Sequence, residues 1–245
     1  MKKILASDIK YKRVLLKITG ELLGDNEGKG LNFEKIDTLA EQILSIRKKT
    51  GVQFAIVVGA GNLFRGRQAH GTTVDRVSAD YIGMLGTVMN ALALREALER
   101  LSGKDIRVMT PLMIESVAEP FIQRRALYHL KRTGIIIFAG GIGNPFFTTD
   151  SAAALRACEL SCDVILKGSN VDGVYSKDPH KYKNARRYST LRYQEALEKG
   201  LNVMDSTAFA LCQSEKIPII VFNIQEFNLI NKILNGERIG TLITA

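Results

Sequence analysis

Tryptophan is absent from this chain of 245 residues, proline is held to five positions and histidine to three. So little proline excludes polyproline and collagen-like architectures. A composition of 46% hydrophobic and 24% charged residues excludes disorder and coiled coil as overall descriptions. Cysteine is scarce as well. Cys158, Cys162 and Cys212 are odd in number and form no CxxC pair, and His70, His129 and His180 fall in no ligand-like spacing. Cys158 and Cys162, four apart on an apolar helical stretch, have the geometry of two metal ligands or of two buried thiols. The shortage of partners favours thiols. A chain of this length buries roughly 70% or more of its unfolded surface, so it needs no disulfide or metal staple.

Long apolar runs are also missing. Only Ile4-Leu5-Ala6 separates Met1-Lys2-Lys3 from Ser7-Asp8, too short for the core of a signal peptide. No run approaches the ~18 residues of a membrane span, so the expected location is cytoplasmic with no membrane partner. Nor is there a long block of one charge. Lys and Arg number 34 against 25 Asp and Glu, a net +9 that favours an anionic ligand. The basic residues are scattered in small groups such as Lys10-Tyr11-Lys12-Arg13, Arg47-Lys48-Lys49, Arg124-Arg125 and Arg186-Arg187. No run reaches five or six, so no nucleic-acid-binding arm is expected.

What the chain does have is alternation. Val14–Ile18, Phe54–Val58, Ile106–Met109, Ile135–Ala139, Val164–Leu166 and Ile219–Phe222 are short continuous apolar runs that read as strands buried on both faces. Helical stretches lie between them. Phe33, Ile36, Leu39, Ala40, Ile43 and Leu44 follow an Asn32 cap, and Tyr81, Leu85, Val88 and Leu92 form a second stripe within a helical stretch from Thr73 to Leu101. Pro120 is expected to open a helix reaching Thr133, an Ala-rich helix to span Ser151–Leu160, and Asp205 to cap one reaching Glu215. The pattern predicts one domain over residues 1–245, with a mostly parallel sheet sandwiched between helices.

Ligands of such sheets gather at the carboxyl ends of the strands. There the chain places Lys17-Ile18-Thr19-Gly20-Glu21, then Gly59-Ala60-Gly61-Asn62-Leu63-Phe64-Arg65-Gly66. Later strands end in Gly140-Gly141-Ile142-Gly143-Asn144-Pro145 and in Lys167-Gly168-Ser169-Asn170. Glycines let backbone N–H groups approach phosphate oxygens, and a helix beginning near Asp150 offers its positive end. Two familiar phosphate motifs are absent. Gly24-Asp25-Asn26-Glu27-Gly28-Lys29-Gly30 has three residues between its glycines where a P-loop has four, and Gly30 where Ser or Thr would hold magnesium. No GxGxxG opens a helix after the first strand.

Four segments carry a family resemblance: Lys17-Ile18-Thr19-Gly20, Gly61-Asn62-Leu63-Phe64-Arg65-Gly66, Gly143-Asn144-Pro145-Phe146-Phe147-Thr148-Thr149-Asp150-Ser151-Ala152-Ala153 and Val171-Asp172-Gly173-Val174-Tyr175. They resemble the amino-acid-kinase fold and, more closely, the bacterial uridylate (UMP) kinases. The likeness runs to Gly240-Thr241-Leu242-Ile243. It implies a three-layer α/β/α sandwich, and phosphorylation of UMP to UDP by ATP with magnesium. It implies that Lys17, Ile18, Thr19, Gly20, Gly61 and Arg65 contact ATP phosphates, and that Ser169, Asn170, Tyr175 and Asp178 hold its nucleoside end. UMP would be bound by Ala60, Asp80, Ile142, Gly143, Asn144, Pro145, Phe146, Phe147, Thr148 and Thr149. The resemblance also implies a homohexamer, inhibition by UTP, and activation by GTP through Asp25, Asn26, Glu27, Gly28, Lys29 and Gly30. The chain departs from that pattern at Ala60, where a third glycine is usual, and at Ile142, where threonine is usual.

The chemistry can also be argued from the residues. A nucleoside monophosphate is largely dianionic at neutral pH, so no general base is needed. The reaction needs charge cancellation and in-line alignment. Lys17 and Lys167 are suited to flank the transferring group, and Arg65 to fork onto phosphate oxygens. Asp150 either holds both ammonium groups or caps its helix, and the two lysines could instead be ordinary surface residues. Asp80 either reads the ribose hydroxyls or pairs with Arg76 four positions earlier. No acidic cluster forms a metal cage, so magnesium is expected to arrive with nucleotide phosphates. The rival readings are a related kinase acting on a carboxylate or small phosphate, and a non-catalytic anion-binding protein.

Overall fold

The structure, a computed structural model, describes residues 9–64, 73–201 and 203–245. Strands β1 (Arg13–Ile18), β2 (Gln53–Val58), β3 (Arg107–Thr110), β4 (Glu119–Pro120), β5 (Ile135–Phe138), β6 (Val164–Ser169), β7 (Thr190–Arg192), β8 (Ile219–Asn223) and β9 (Thr241–Thr244) form one sheet. Their order across it is β4-β3-β5-β2-β1-β6-β8-β9-β7. Every ladder is parallel except β8 with β9. The six predicted strands are all present.

Helices cover both faces, and the side-chain alternation of each strand divides the interior in two. Val14, Leu16, Ile18, Phe54, Ile56, Val58 and Phe222 enter one core. There they meet α1 (Phe33–Thr50), α2 (Arg76–Ser102) and α7 (Leu229–Leu234). Leu15, Ala55, Val57, Phe138 and Ile165 enter the other, under α3 (Gln123–Thr133), α4 (Thr149–Glu159), α5 (Tyr193–Glu198) and α6 (Ser206–Ser214). The three-layer sandwich stands.

Local chemistry sets the helix ends. Asn32 caps α1 by accepting from Lys35 N at 3.1 Å, and Gly51 closes it in the left-handed conformation at φ 73°. The basic group Arg47-Lys48-Lys49 falls in the last turn of α1, where cations complement the helix dipole. Asp75 caps α2 and Asp205 caps α6, the latter as expected.

Three expectations fail here. Pro120 ends the short strand β4, and α3 starts at Gln123. Proline suits an edge strand as well as a first helical turn. The stripe Tyr81, Leu85, Val88, Leu92 is not the core face of α2. That face is Val88, Ala91, Leu94, Ala97 and Leu98, while Tyr81 and Leu85 are exposed. Finally, α2 is long and apolar enough by length and composition to cross a membrane, contrary to the expectation that no run approaches that limit. Its apolar content divides between the core face and an exposed stripe.

Within α2 the chain accommodates Ala60. A Cβ at Gly86 would lie 3.0 Å from the Ala60 methyl, so a glycine on the helix offsets the alanine on the loop. Gly86→Ala should therefore overpack this contact by about 1–3 kcal/mol, opposed by about 1 kcal/mol of helix propensity. In an Ala60→Gly background only the propensity gain remains. Urea unfolding of the two single variants and the double should give a coupling of about 1–3 kcal/mol. Additive values would show that the two residues do not compete for space.

Candidate active site

Lys17 and Lys167 are register partners on the adjacent parallel strands β1 and β6. Alternation sends both to the α4 face of the sheet, one step beyond Leu15 and Ile165. Two like charges side by side on neighbouring strands repel. The residue that offsets this is Asp150. Lys17 Nζ lies 3.0 Å from Asp150 Oδ1, Lys167 Nζ lies 2.6 Å from Asp150 Oδ2, and each of the three side chains is 15% exposed. Lys167 also donates to the carbonyl of Val203. Burial opposes ionisation of Asp150, yet the two ammonium groups hold its carboxyl below the usual carboxylate range. Burial also lowers the Lys167 ammonium from its ordinary value, against the attraction of Asp150.

Asp150 is not the helix cap. Thr148 is, its Oγ1 accepting from Asp150 N at 3.0 Å and Ser151 N at 3.4 Å, which leaves the Asp150 carboxylate to the lysines. Thr148 is itself fixed by Asp205, to which its hydroxyl donates. Ser151 Oγ reaches the same carboxylate at 2.9 and 3.0 Å, while Asp205 Oδ1 accepts from Ala208 N at 2.9 Å. From sequence Asp205 reads only as a cap for α6. Its second task, anchoring the start of α4, carries no local signal.

Two cavities lie near the lysine–aspartate group, one lined by Lys167 and one by Thr148 and Thr149, the residues just before Asp150. One of about 260 Å³ takes Ala60, Gly61 and Asp80 on one side and Phe147, Thr148 and Thr149 on the other. Asp80 accepts from Arg76 Nε at 2.9 and 2.8 Å and from Phe146 N at 2.7 Å. The helical pairing expected as its plain alternative is therefore present, and the same carboxylate also pins the loop. Phe146 is held at φ 72°, and Arg76 lies 5.4 Å from its ring centroid. Of the other expected residues on this loop, Ile142 packs against the α4-side core and Gly143 lies where a Cβ would approach Pro111 Cβ to 2.9 Å. Asn144 is exposed and Pro145 partly so. Thr87, not anticipated, accepts from Gly140 N at 2.7 Å and fixes the loop's start.

The second cavity, about 370 Å³, joins Lys167 to Ser169, Tyr175 and Asp178. Tyr175 donates to Asp172 at 2.5 Å, and Asp178 accepts from His180 N at 2.9 Å, so both are held by local partners. Asn170 does not join them. It lines a third cavity of about 500 Å³ with Asp25, Asn26, Glu27 and Gly28. Thr19 accepts from Glu21 N at 3.1 Å and caps the 3₁₀ turn Gly20–Leu23, whereas the Ile18 side chain is buried in the core and offers only backbone. Arg65 lies outside the described residues.

The segment expected to bind an effector is a self-closed turn. Asp25 Oδ1 accepts from Glu27 N and Lys29 N at 2.9 Å each, and the bond from Lys29 leads in lowering the Asp25 carboxyl below its ordinary value. Among the described residues no three of His, Cys, Asp and Glu are grouped as metal ligands. Burial pushes the thiols of Cys158, Cys162 and Cys212 up to about 11, 12 and 12. Cys162 and Cys212 are buried and Cys158 is half-buried, and all three are free thiols.

Strand-end lysines bridged by a carboxylate at a helix start gather a net positive charge at the carboxyl ends of the strands, with one cavity lined by Lys167 and another by Thr148 and Thr149. The chain matches the sequence model of the amino acid kinase family over residues 12–223 and belongs to that family. Among solved structures it is similar to the UMP kinase of Bacillus anthracis, with 42% identity, 96% of each chain covered and a TM-score of 0.91. It is similar also to the UMP kinase of Ureaplasma parvum, with 38% identity over 97% of this chain and 100% of that one, TM-score 0.87. The uridylate kinase of Archaeoglobus fulgidus matches at 28% identity over 94% and 99%, TM-score 0.70.

Removing one partner from a buried ion network leaves the others uncompensated, at a cost of about 3–5 kcal/mol. Asp150→Asn should therefore destabilise the protein by about that much at neutral pH. A carboxyl held below its unfolded value contributes stability that is complete above the ordinary carboxylate range and is lost as pH falls through the depressed value. The stability gap between wild type and Asp150→Asn should accordingly narrow on acidification in urea titrations. A gap independent of pH would mean that the carboxylate charge does not hold the lysines.

Proposed function

We propose that this protein transfers the γ-phosphoryl group of ATP to UMP, giving UDP and ADP, in pyrimidine nucleotide synthesis in the cytoplasm. The observation that carries the reading is the Lys17–Asp150–Lys167 group, with Lys167 lining one cavity and Thr148 and Thr149, next to Asp150, lining another. The nucleoside end of ATP occupies the cavity of Ser169, Tyr175 and Asp178, and UMP that of Asp80 and Thr149. Lys17 and Lys167 carry three positive hydrogen-bond donors apiece, and Asp150 takes only one direction from each. The Val203 carbonyl takes a second donor of Lys167, and the donors that remain, one on Lys167 and two on Lys17, can follow the phosphoryl oxygens as charge moves from the β–γ bridge of ATP to the new bond. The dianionic phosphate of UMP attacks without a base. Magnesium enters as part of the ATP substrate, since the Asp150 carboxylate is committed to the lysines. Family members acting on carboxylates or small phosphates are disfavoured by the Asp80-pinned loop, which shapes a pocket beyond the phosphate.

Asp80 reads the ribose in this proposal. Its two oxygens offer about four acceptor positions, of which Arg76 and Phe146 take three. The fourth is available to a sugar hydroxyl, a charge-assisted bond worth about 1.5–3 kcal/mol, or roughly ten- to a hundredfold. GTP activation and UTP inhibition follow the resemblance. Around the third cavity Glu21, Asp25 and Glu27 outnumber Lys35, whose ammonium donates to the Asp25 carbonyl, so the lining is net acidic and repels a triphosphate. The proposed homohexamer uses the exposed stripe Tyr81, Ile82, Leu85 and Met89 of α2 as a contact between copies.

A coupled assay should give turnover with ATP and UMP, less with CMP and AMP, and a ten- to hundredfold preference for UMP over dUMP in kcat/KM. Asp80→Ala should erase that preference. A variant keeping the full ratio assigns the ribose to another group, and a wild type that ignores UMP sinks the proposal. Leu85→Glu with Met89→Glu should reduce the particle mass in sedimentation without altering the circular dichroism. An unchanged mass removes α2 from the assembly.

A further inference from the structure

Asn90 is fully buried in the middle of the apolar run Met84–Leu94 of α2, where a polar side chain needs a reason. It faces Asn62 in the loop after β2, itself 6% exposed. The two amides bond reciprocally, Asn62 Nδ2 to Asn90 Oδ1 at 2.9 Å and Asn90 Nδ2 to Asn62 Oδ1 at 2.7 Å. Each has one further N–H, and both are used. Asn90 donates to the carbonyl of Gly59 at 2.7 Å, and Asn62 to the carbonyl of Gly30 at 2.6 Å. Gly30 N returns a bond to the Asn62 carbonyl at 2.9 Å. The third strand end joins through glycine. A Cβ on Gly20 would meet Asn62 Oδ1, the Gly59 carbonyl at 2.6 Å and Asn90 Nδ2 at 2.9 Å.

We infer that Asn62 and Asn90 form a buried clamp that sets the positions of the phosphate-facing backbone at Gly20 and Gly59–Gly61. They are positioning residues. Neither lines either of the two substrate cavities, and every amide hydrogen is spent on protein. Four segments meet at the pair: the turn after β1, the loop after β2, the closed turn ending at Gly30, and the middle of α2. Only an amide serves at both positions, because each must accept from its partner while donating to two carbonyl or amide oxygens. Loop N–H groups aimed at a transferring phosphoryl group act more on the transition state than on bound substrate, so misplacing them lowers turnover before it lowers affinity.

The kinetic part of the test rests on the kinase reading, and the structural part does not. In Asn90→Ala, hydrogen exchange should speed up at the amides of residues 20–24, 28–30 and 59–63, with the sheet ladders of β5, β6 and β8 unchanged. In ATP plus UMP turnover, kcat should fall roughly ten- to a hundredfold while KM for either nucleotide changes less than about threefold. ATP-binding stoichiometry by calorimetry, unchanged from wild type, separates this from a loss of folded molecules. Asn62→Ala should cost about the same, and the double variant no more than either single, as members of one unit do. Asn90→Asp puts a carboxylate oxygen in place of Nδ2, against both the Gly59 carbonyl and Asn62 Oδ1, and should be worse than alanine.

Exchange that rises across the whole chain, or multiplying losses in the double variant, would overturn the clamp. So would a folded Asn90→Ala with wild-type kcat. Faster exchange confined to the three loops, in a protein inactive on UMP from the outset, would keep the clamp and reject the substrate.

Discussion

Two ammonium groups at matching positions on neighbouring strands would push β1 and β6 apart at the point where the site must be tightest. The single carboxylate of Asp150 makes their juxtaposition tolerable. Its position is exacting, because it must reach both cations from the helix above them. That requirement fixes where α4 begins, and so explains the chain of contacts behind it: Thr148 caps the helix, Asp205 holds Thr148 and Ser151, and the Val203 carbonyl steadies Lys167. The three charges leave one positive charge in excess, beside the positive end of a helix. A polyanion finds there a field that was already assembled before it arrived.

Much of this was legible in the sequence, and the reasons are physical. Strands covered on both faces must be continuously apolar, so runs such as Phe54–Val58 announce themselves. Lysine near the carboxyl end of such a run, as at Lys17, or directly after it, as at Lys167, has no packing purpose and stands out. What could not be read was choice between near-equivalent signals. Thr148 and Asp150 are both good caps two residues apart, and Pro120 suits an edge strand as well as a helix start. On α2 apolar residues lie on more than one side, so periodicity alone could not say that Val88 and Leu94 face the core while Tyr81 and Leu85 do not. Asp80 pairs with Arg76, its plain reading, and also accepts from Phe146 N, a contact 66 residues away that no local pattern announces. Asp205 and Asn90 act through partners dozens of residues away, and single-residue patterns hold no trace of those.

Small side chains govern the approach of the strand ends to α2. At Gly20 backbone and amide groups of its neighbours occupy the volume a larger side chain would need, and at Gly86 the Ala60 methyl and the Leu63 side chain do. The departure at Ala60 therefore concerns the helix behind the loop, since its methyl is turned toward Gly86. The departure at Ile142 concerns the core, into which its side chain packs. Both are matters of packing around the site.

The central position of β1 has a bearing on how the chain acquires its structure. Its neighbour β2 follows closely in sequence, across α1, and can pair early. Its other neighbour, β6, is remote: Arg13 N and Asp163 Oδ2, bonded at 2.8 Å, are 150 residues apart. Closing so large a loop is slow compared with local pairing. During synthesis β1 must therefore wait, with one apolar edge unpaired, until residues beyond Ser169 have emerged. In that interval the half-built sheet is open to edge-to-edge association with another nascent chain. The pairing that ends this exposure is the one that brings Lys167 beside Lys17, so the site and the protection from aggregation are completed in a single event.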